Sequence, residues 1–349
     1  MLPIDFGAYA LWQNLAVFLF AAAIIWAAGS RLAIYADIIA DRSGLGHALV
    51  GLVLLAGATS LPEIGRTISA AAIGSTALVV DSLFGGIVLQ TAILGLADFS
   101  VAQQVLTFFA PSSVLLLEGA LVILLLSLAL SGIAAGELFS FFNVGVWSFV
   151  LMGVYVLALY LLQAHEGRGW VPIAVPEELK REEEERPSDH HLKSNLEIGL
   201  LFAGNSTVIF LAGITLAQIG DALAVQTGLG ASFVGATLLA FASALPEMST
   251  TIAAVRLGAY SMAISNIFGT NALLVALIFL GDLFYRQGPI LESVGRPSLF
   301  AAAMGIVATS VYLVGLIERR NKTYLGMGLD SIAVLLLYLV TLFVLFLLR

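Results

Sequence analysis

The sequence contains no cysteine and little charge. Without cysteine there is no disulfide and no thiolate metal site. Asp, Glu, Lys and Arg make up 11% of the chain, against about 25% in soluble domains. Histidines number four, and none stands in a His-Glu-x-x-His arrangement. A P-loop and a Gly-x-Ser-x-Gly elbow are also missing, so ATP-driven transport and intramembrane proteolysis have no support. The first residues, Met1 to Asp5, include no base. The apolar stretch behind them therefore reads as a retained span, not a cleaved signal. The net charge of -8 comes largely from one loop and says little about partners.

What is present is apolar. Hydrophobic residues are 60% of the 349, and mean hydropathy is +1.02. A bilayer core of ~30 Å needs about 20 apolar residues in a helix. That rule predicts an all-α polytopic membrane protein with ten transmembrane helices, near 9–31, 46–72, 76–97, 113–131, 144–164, 195–218, 231–255, 259–281, 297–317 and 328–348. Helices 2, 3, 7 and 8 carry internal Pro, Gly or polar residues and are expected to be discontinuous. The only long hydrophilic stretch, 165–194, separates a first half (1–164) from a second (195–349).

The halves repeat. A shift of 184 residues lays 37–98 on 221–282 without a gap, with 24 identities in 62 positions. Gly44-Leu-Gly46 falls on Gly228-Leu-Gly230, Leu61-Pro-Glu63 on Leu245-Pro-Glu247, and Asp98 on Asp282. Shared apolar composition supplies matching Leu and Ala, but not Pro-Glu, Gly-Leu-Gly and Asp in one frame. Five spans per half send the second copy into the membrane from the opposite side, which makes an inverted repeat. With both termini outside, inside loops hold eleven Lys and Arg, from Arg31 and Arg42 to Lys322, and outside segments hold Arg286, Arg296 and Arg349. That follows the positive-inside rule and places the 165–194 loop in the cytoplasm.

The chemistry gathers at the two Leu-Pro-Glu motifs. A carboxylate in hydrocarbon is expensive and is a functional-site hypothesis by default. A proline beside it removes a ladder donor at the same depth. Around Glu63 stand Thr59, Ser60 and carbonyls freed by Pro62; around Glu247 stand Ser243 and the carbonyls near Ala240. Such an all-oxygen cluster suits hard cations. Asp81-Ser-Leu-Phe-Gly85-Gly86 and Ser265-Asn-Ile-Phe-Gly269-Thr270-Asn271 make the partner spans polar as well. Glycine there permits close helix approach.

These motifs resemble the cation/calcium antiporter superfamily, and within it the prokaryotic sodium/calcium exchangers. Ala58-Thr-Ser-Leu-Pro-Glu63 is a close match to the family's first motif, Ala242-Ser-Ala-Leu-Pro-Glu247 a looser one, and Ser265 to Asn271 matches the second motif well. The resemblance implies that Glu63 and Glu247 are central Ca²⁺ ligands. It also implies that Thr59, Ser60, Ser243, Thr270 and the Ala56 and Ala240 carbonyls flank them as Na⁺ ligands, and that exchange proceeds by alternating access. The departures are local. A family Ser is Gly86, a family Asn or Asp is Gln90 in the first half and Leu274 in the second, and a family Ser is Ala244. Gln90 resembles a residue of cation/proton exchangers in the same superfamily. Arg66 is added three residues after Glu63, where it can face the same side of the helix. A pair with Glu63 or Asp81 is one expectation for it; snorkelling is the other. Arg66, Asp81 and Asn271 are candidate modulators of the site.

The remaining polar features read as structural. Asp98 and Asp282 cap or anchor, Glu118 is a core carboxyl, Glu182 to Glu185 are a solvated run, and His190-His191 are not a metal site. The implied function is a secondary antiporter of the inner or plasma membrane, not an enzyme, exchanging Ca²⁺ or another hard cation for Na⁺ or H⁺. It needs no cofactor. The implied partners are inorganic cations and the lipid bilayer, with no nucleic acid; oligomeric state stays open. Two other readings also stay open: a proton-coupled carrier with a degenerate cation site, and a non-transporting sensor or scaffold on the same fold.

Overall fold

In hydrocarbon every backbone amide must be paired within the protein, which leaves helices as the way for apolar segments of this length to cross. The computed structural model describes residues 6–101, 104–110, 112–165, 194–227 and 240–348, and they are almost wholly helical. In order the main helices are α1 (Leu11–Ser43), α2 (His47–Thr59), α3 (Leu61–Ala72), α4 (Thr76–Asp98), α5 (Ser113–Ala135), α6 (Val146–His165), α7 (Asn195–Gln226), α8 (Ala240–Ser243), α9 (Leu245–Arg256), α10 (Tyr260–Phe284), α11 (Arg296–Glu318) and α12 (Leu329–Leu347). A two-residue antiparallel pairing, Ser140–Phe141 with Val144–Gly145, is the one small sheet among the described residues.

Among the described residues eight helices are long and apolar enough to cross a membrane, and α2 with α3 makes a ninth span bent by 50°. The expected span at 231–255 begins outside the described residues; α8 and α9 are its described part. Gly228 to Gly230, Gly235 to Leu239, Glu182 to Glu185, His190-His191 and most of the 165–194 loop also lie outside them. The first span is longer than expected. α1 continues to Ser43, so Arg31 lies within a helix and not in a loop. Nothing in 32–43 breaks a helix until Gly44, which closes it at φ +68° in the left-handed region open to glycine.

Two of the four expected breaks occur. Span two breaks at Ser60, just before Leu61-Pro62, and span seven at Ala244, just before Leu245-Pro246. Spans three and eight are corrected: α4 and α10 each run unbroken. Their glycines keep the N–H that proline lacks, so the ladder survives. Thr91 and Thr270 hydroxyls return to the Ile87 and Asn266 carbonyls, at 2.8 and 2.9 Å.

α10 forms the centre and is buried along most of its length. It passes close to α2, where residues Gly51–Leu55 form a wide π turn. A Cβ on Gly51 would stand 2.6 Å from the Met262 carbonyl, and one on Gly269 would stand 2.4 Å from that of Leu52. Backbones this close exclude any larger residue.

At the helix ends two aspartates do matching work. Asp98 is fully buried and accepts from Leu106 N (2.6 Å) and Gly328 N (2.7 Å). Asp282 accepts from Ile290 N (2.8 Å), Gly145 N (2.8 Å) and Ser148 Oγ (2.6 Å). Each aspartate thus holds the loop behind its own helix and a segment of the other half. They anchor, as their positions suggested.

Candidate functional site

Pro62 and Pro246 set the site locally. Each is the second residue of a helix, where its missing N–H costs nothing to the helix it starts but leaves the preceding segment without a ladder donor. Glu63 and Glu247 follow in the first turns of α3 and α9. Glu63 is 3% exposed and Glu247 is fully buried. The helix that carries Glu247 packs against the Ala56–Thr59 end of α2, just ahead of Glu63.

The residues just before Glu63 bring buried oxygens. Thr59 and Ser60 are fully buried; both hydroxyls donate to the Ala56 carbonyl, at 3.2 and 2.8 Å. That carbonyl also takes Ser60 N at 3.0 Å, so it is already engaged by donors. Thr59 approaches the Glu247 carboxylate across the interface, but its proton is committed to Ala56. Both Glu247 oxygens and Glu63 Oε2 are buried without a donor. The same holds for Gln90 Oε1, Asn266 Oδ1 and Asn271 Oδ1. Buried acceptors are normally paired. A set of acceptors lacking donors is suited to a cation and ill suited to an anion.

Hydrogen bonds tie the helices that carry these atoms. Asn266 Nδ2 donates to Thr250 Oγ1 and Thr251 Oγ1, both at 3.0 Å, joining α10 to α9. Asn271 Nδ2 donates to Thr91 Oγ1 at 3.1 Å, joining α10 to α4 and setting Gln90 next to that joint. Thr270 is fully buried and Ser243 half-buried at the end of α8. Ala240 begins α8.

Two sequence departures prove to be one. Leu274 is buried, and its Cδ1 lies 3.3 Å from where a Cβ on Gly86 would be. The leucine fills the space at the glycine, so the lost hydroxyl and the lost amide leave an apolar contact.

Arg66 is corrected. Asp81 is exposed and is held by Ser298, not by Arg66. Among the described residues Arg66 forms no ion pair, and its Nε is buried without a partner. Glu118 is a core carboxyl as expected, with Ser265 Oγ donating to its oxygens at 2.8 and 2.7 Å. The sequence reading missed Thr91, Thr250 and Thr251. Threonine facing a buried Asn is visible only once α4, α9 and α10 are packed. Away from the site, His47 Nε2 lies 2.9 and 3.4 Å from Asp37 and Asp41 carboxylate oxygens.

The sequence pattern of the family described as "Sodium/calcium exchanger protein" matches twice, at residues 13–163 and 197–347. The chain is 25% identical over 249 residues to inner membrane protein YrbG of Escherichia coli (strain K12), covering 71% of this chain and 72% of that protein. It is 36% identical over 88 residues to the sodium/calcium exchanger MaX1 of Methanosarcina acetivorans, covering 25% of this chain and 24% of that one. A solved structure of the sodium–calcium exchanger NCX_Mj, soaked with 2.5 mM Na⁺ and 0.1 mM Sr²⁺, aligns with a TM-score of 0.70 at 16% identity, over 95% of this chain and 98% of its own. At that identity the likeness concerns the fold.

Proposed function

The chain belongs to the sodium/calcium exchanger protein family of multi-pass membrane cation antiporters, and from that premise we propose that it exchanges Ca²⁺, or another hard cation, for Na⁺ or H⁺. Glu63 and Glu247 bind the cation directly. Thr59, Ser60, Ser243, Thr270 and Gln90 supply neutral oxygens around them, with the Ala240 carbonyl at the second break; the Ala56 carbonyl already accepts three hydrogen bonds and would have to exchange one for the ion. The observation that carries this reading is the pair of buried carboxyls with oxygens lacking donors. An isolated ionised carboxylate in an apolar interior is very costly, and a hard cation compensates it with oxygen-only ligands.

The architecture of this reading is a ten-span inverted repeat, 1–164 and 195–349 around a cytoplasmic loop at 165–194, in the inner membrane. The reciprocal anchoring by Asp98 and Asp282 supports it, because Leu106 and Ile290 differ by the same 184 residues as the aspartates. Two matched halves can open the site alternately to either side. The deciding experiment is ⁴⁵Ca²⁺ uptake into proteoliposomes under imposed Na⁺ and pH gradients. Uptake driven by one of these gradients supports the reading; its absence under every gradient removes Ca²⁺, and the same result with ²²Na⁺ and with other divalent cations refutes the reading.

A further inference from the structure

The turn between α1 and α2 holds a group of side chains that the exchange site does not use. Asp37 and Asp41 stand four residues apart in the last turns of α1, which puts both on one face of the helix. Gly44 ends α1 at φ +68°, and Gly46 repeats that angle before α2 begins. Two residues in this left-handed region, open to glycine, turn the chain back on itself. His47, the first residue of α2, then faces the end of α1. Its Nε2 lies 2.9 Å from an Asp37 oxygen and 3.4 Å from an Asp41 oxygen. One ligand atom from each of the three residues lies within 4.8 Å of the other two. The Asp37 side chain is 6% exposed, that of His47 29% and that of Asp41 47%, so the group is buried at one end and open to water at the other. α1 has 33 residues. At 1.5 Å per residue it is about 50 Å long, against a bilayer core of ~30 Å, which is long enough for its last turns to stand clear of the hydrocarbon.

We propose that Asp37, Asp41 and His47 form a second cation site, separate from the exchange site, that takes a divalent transition metal of the zinc class. One imidazole nitrogen carries at most one hydrogen, which cannot serve two carboxylate oxygens equally. A metal ion is bound by all three atoms at once. Zinc ligands stand about 2.0–2.2 Å from the ion in a tetrahedron, which sets them roughly 3.3–3.6 Å apart. The spacings of 2.9 and 3.4 Å are within a few tenths of that, and side-chain rotation closes the third pair. The mixed nitrogen and oxygen set differs from the all-oxygen one at Glu63 and Glu247. Imidazole suits zinc, copper and nickel, whereas Ca²⁺ and Mg²⁺ prefer oxygen. Three protein ligands leave one position for water. The whole of α2, His47–Thr59, or about 20 Å of helix, separates the two places. The fold common to the two halves does not call for this group. At the positions 184 residues on stand Asp221, Val225 and Ala231, so the second half repeats the first carboxylate and neither of the other ligands. A bound ion would tie the end of α1 to the start of α2, whether or not Glu63 and Glu247 carry exchange.

The test is calorimetric titration of Zn²⁺ into the purified full chain, beside the visible absorption of Co²⁺ as a reporter of its ligands. The variants are Asp41→Asn, His47→Gln and, as a control on the exchange site, Glu63→Gln combined with Glu247→Gln. The expected result is one Zn²⁺ bound by wild type and by the control. Binding should be at least about 100-fold weaker in Asp41→Asn and in His47→Gln, because even the outer partners of a metal site are worth about 10–100-fold. The Co²⁺ spectrum of wild type should change on His47→Gln and persist when Ca²⁺ is added in equal amount. Asp41 is exposed, so Asp41→Asn keeps the fold and decides the matter if His47→Gln does not. Failure of wild type to bind Zn²⁺ would leave the group an ion pair and overturn the proposal. Undiminished binding by Asp41→Asn would overturn it too, as would loss of binding in the control, which would put the metal at Glu63 and Glu247.

Discussion

Glu247→Gln separates the electrostatics of the empty site from those of the loaded one. The amide keeps the shape of the side chain and removes its charge. Glu247 is fully buried, and neither of its oxygens has a donor. At a pH where both carboxyls are ionised, their like charges repel by at most about 4 kcal/mol, the value for unit charges about 4 Å apart at an effective dielectric near 20. Removing one should therefore stabilise the cation-free protein, by an amount no greater than that repulsion. The loaded protein behaves oppositely. A ligand present at 100 times its dissociation constant stabilises wild type by about 2.7 kcal/mol, and Glu247→Gln should lose that gain along with transport. The assay is thermal unfolding in detergent, with chelator and with Ca²⁺, beside ⁴⁵Ca²⁺ uptake in vesicles. A variant less stable than wild type under chelator, yet retaining the full Ca²⁺ shift, would refute the argument and make Glu247 a structural group.

Four further outcomes follow from the geometry. Asp98→Ala and Asp282→Ala should each cost about 3 kcal/mol or more, because each strips buried donors of a charged acceptor; a loss under 1 kcal/mol in unfolding assays would deny them the anchoring role. Gly86→Ser should destabilise by about 1–3 kcal/mol through overpacking against Leu274, and adding Leu274→Ala should recover much of it; additive losses would mean that the two do not touch. Asn266→Ala should lower stability by about 1–2 kcal/mol by unpairing Thr250 and Thr251, and calorimetry or denaturant unfolding reads it directly. Burial, together with nearby Asp282 and Glu292, holds the Glu137 carboxyl above its ordinary value. The folded protein then keeps this proton better than the unfolded chain, so the stabilisation is full below the unfolded value and fades as pH rises through the folded one. Glu137→Gln should flatten that slope in the acid range, as read by melting temperature against pH.

The sequence by itself determined the class and the outline. Apolar runs of about 20 residues have few alternatives to a membrane helix, because unpaired amides in hydrocarbon cost too much. Proline inside such a run marks a break, and the breaks at Ser60 and Ala244 appear beside Pro62 and Pro246. Glycine gave no comparable signal. α4 and α10 run straight through Gly85-Gly86 and Gly269, since a glycine loosens a ladder without removing a donor. The helix ends were less legible: α1 extends to Ser43 because helix propensity, not hydrophobicity, decides where a helix stops. Packing alone decided which polar atoms meet. Asn266 meets Thr250 and Thr251 on the neighbouring helix, while Asn271 with Thr91 and Leu274 over Gly86 join helices far apart in the chain; no local pattern encodes these contacts. It also decided that Asp81 turns to Ser298 and not to Arg66. Periodicity in a sequence specifies which face of a helix is apolar, whereas the partner of a buried polar atom is fixed only when the helices come together.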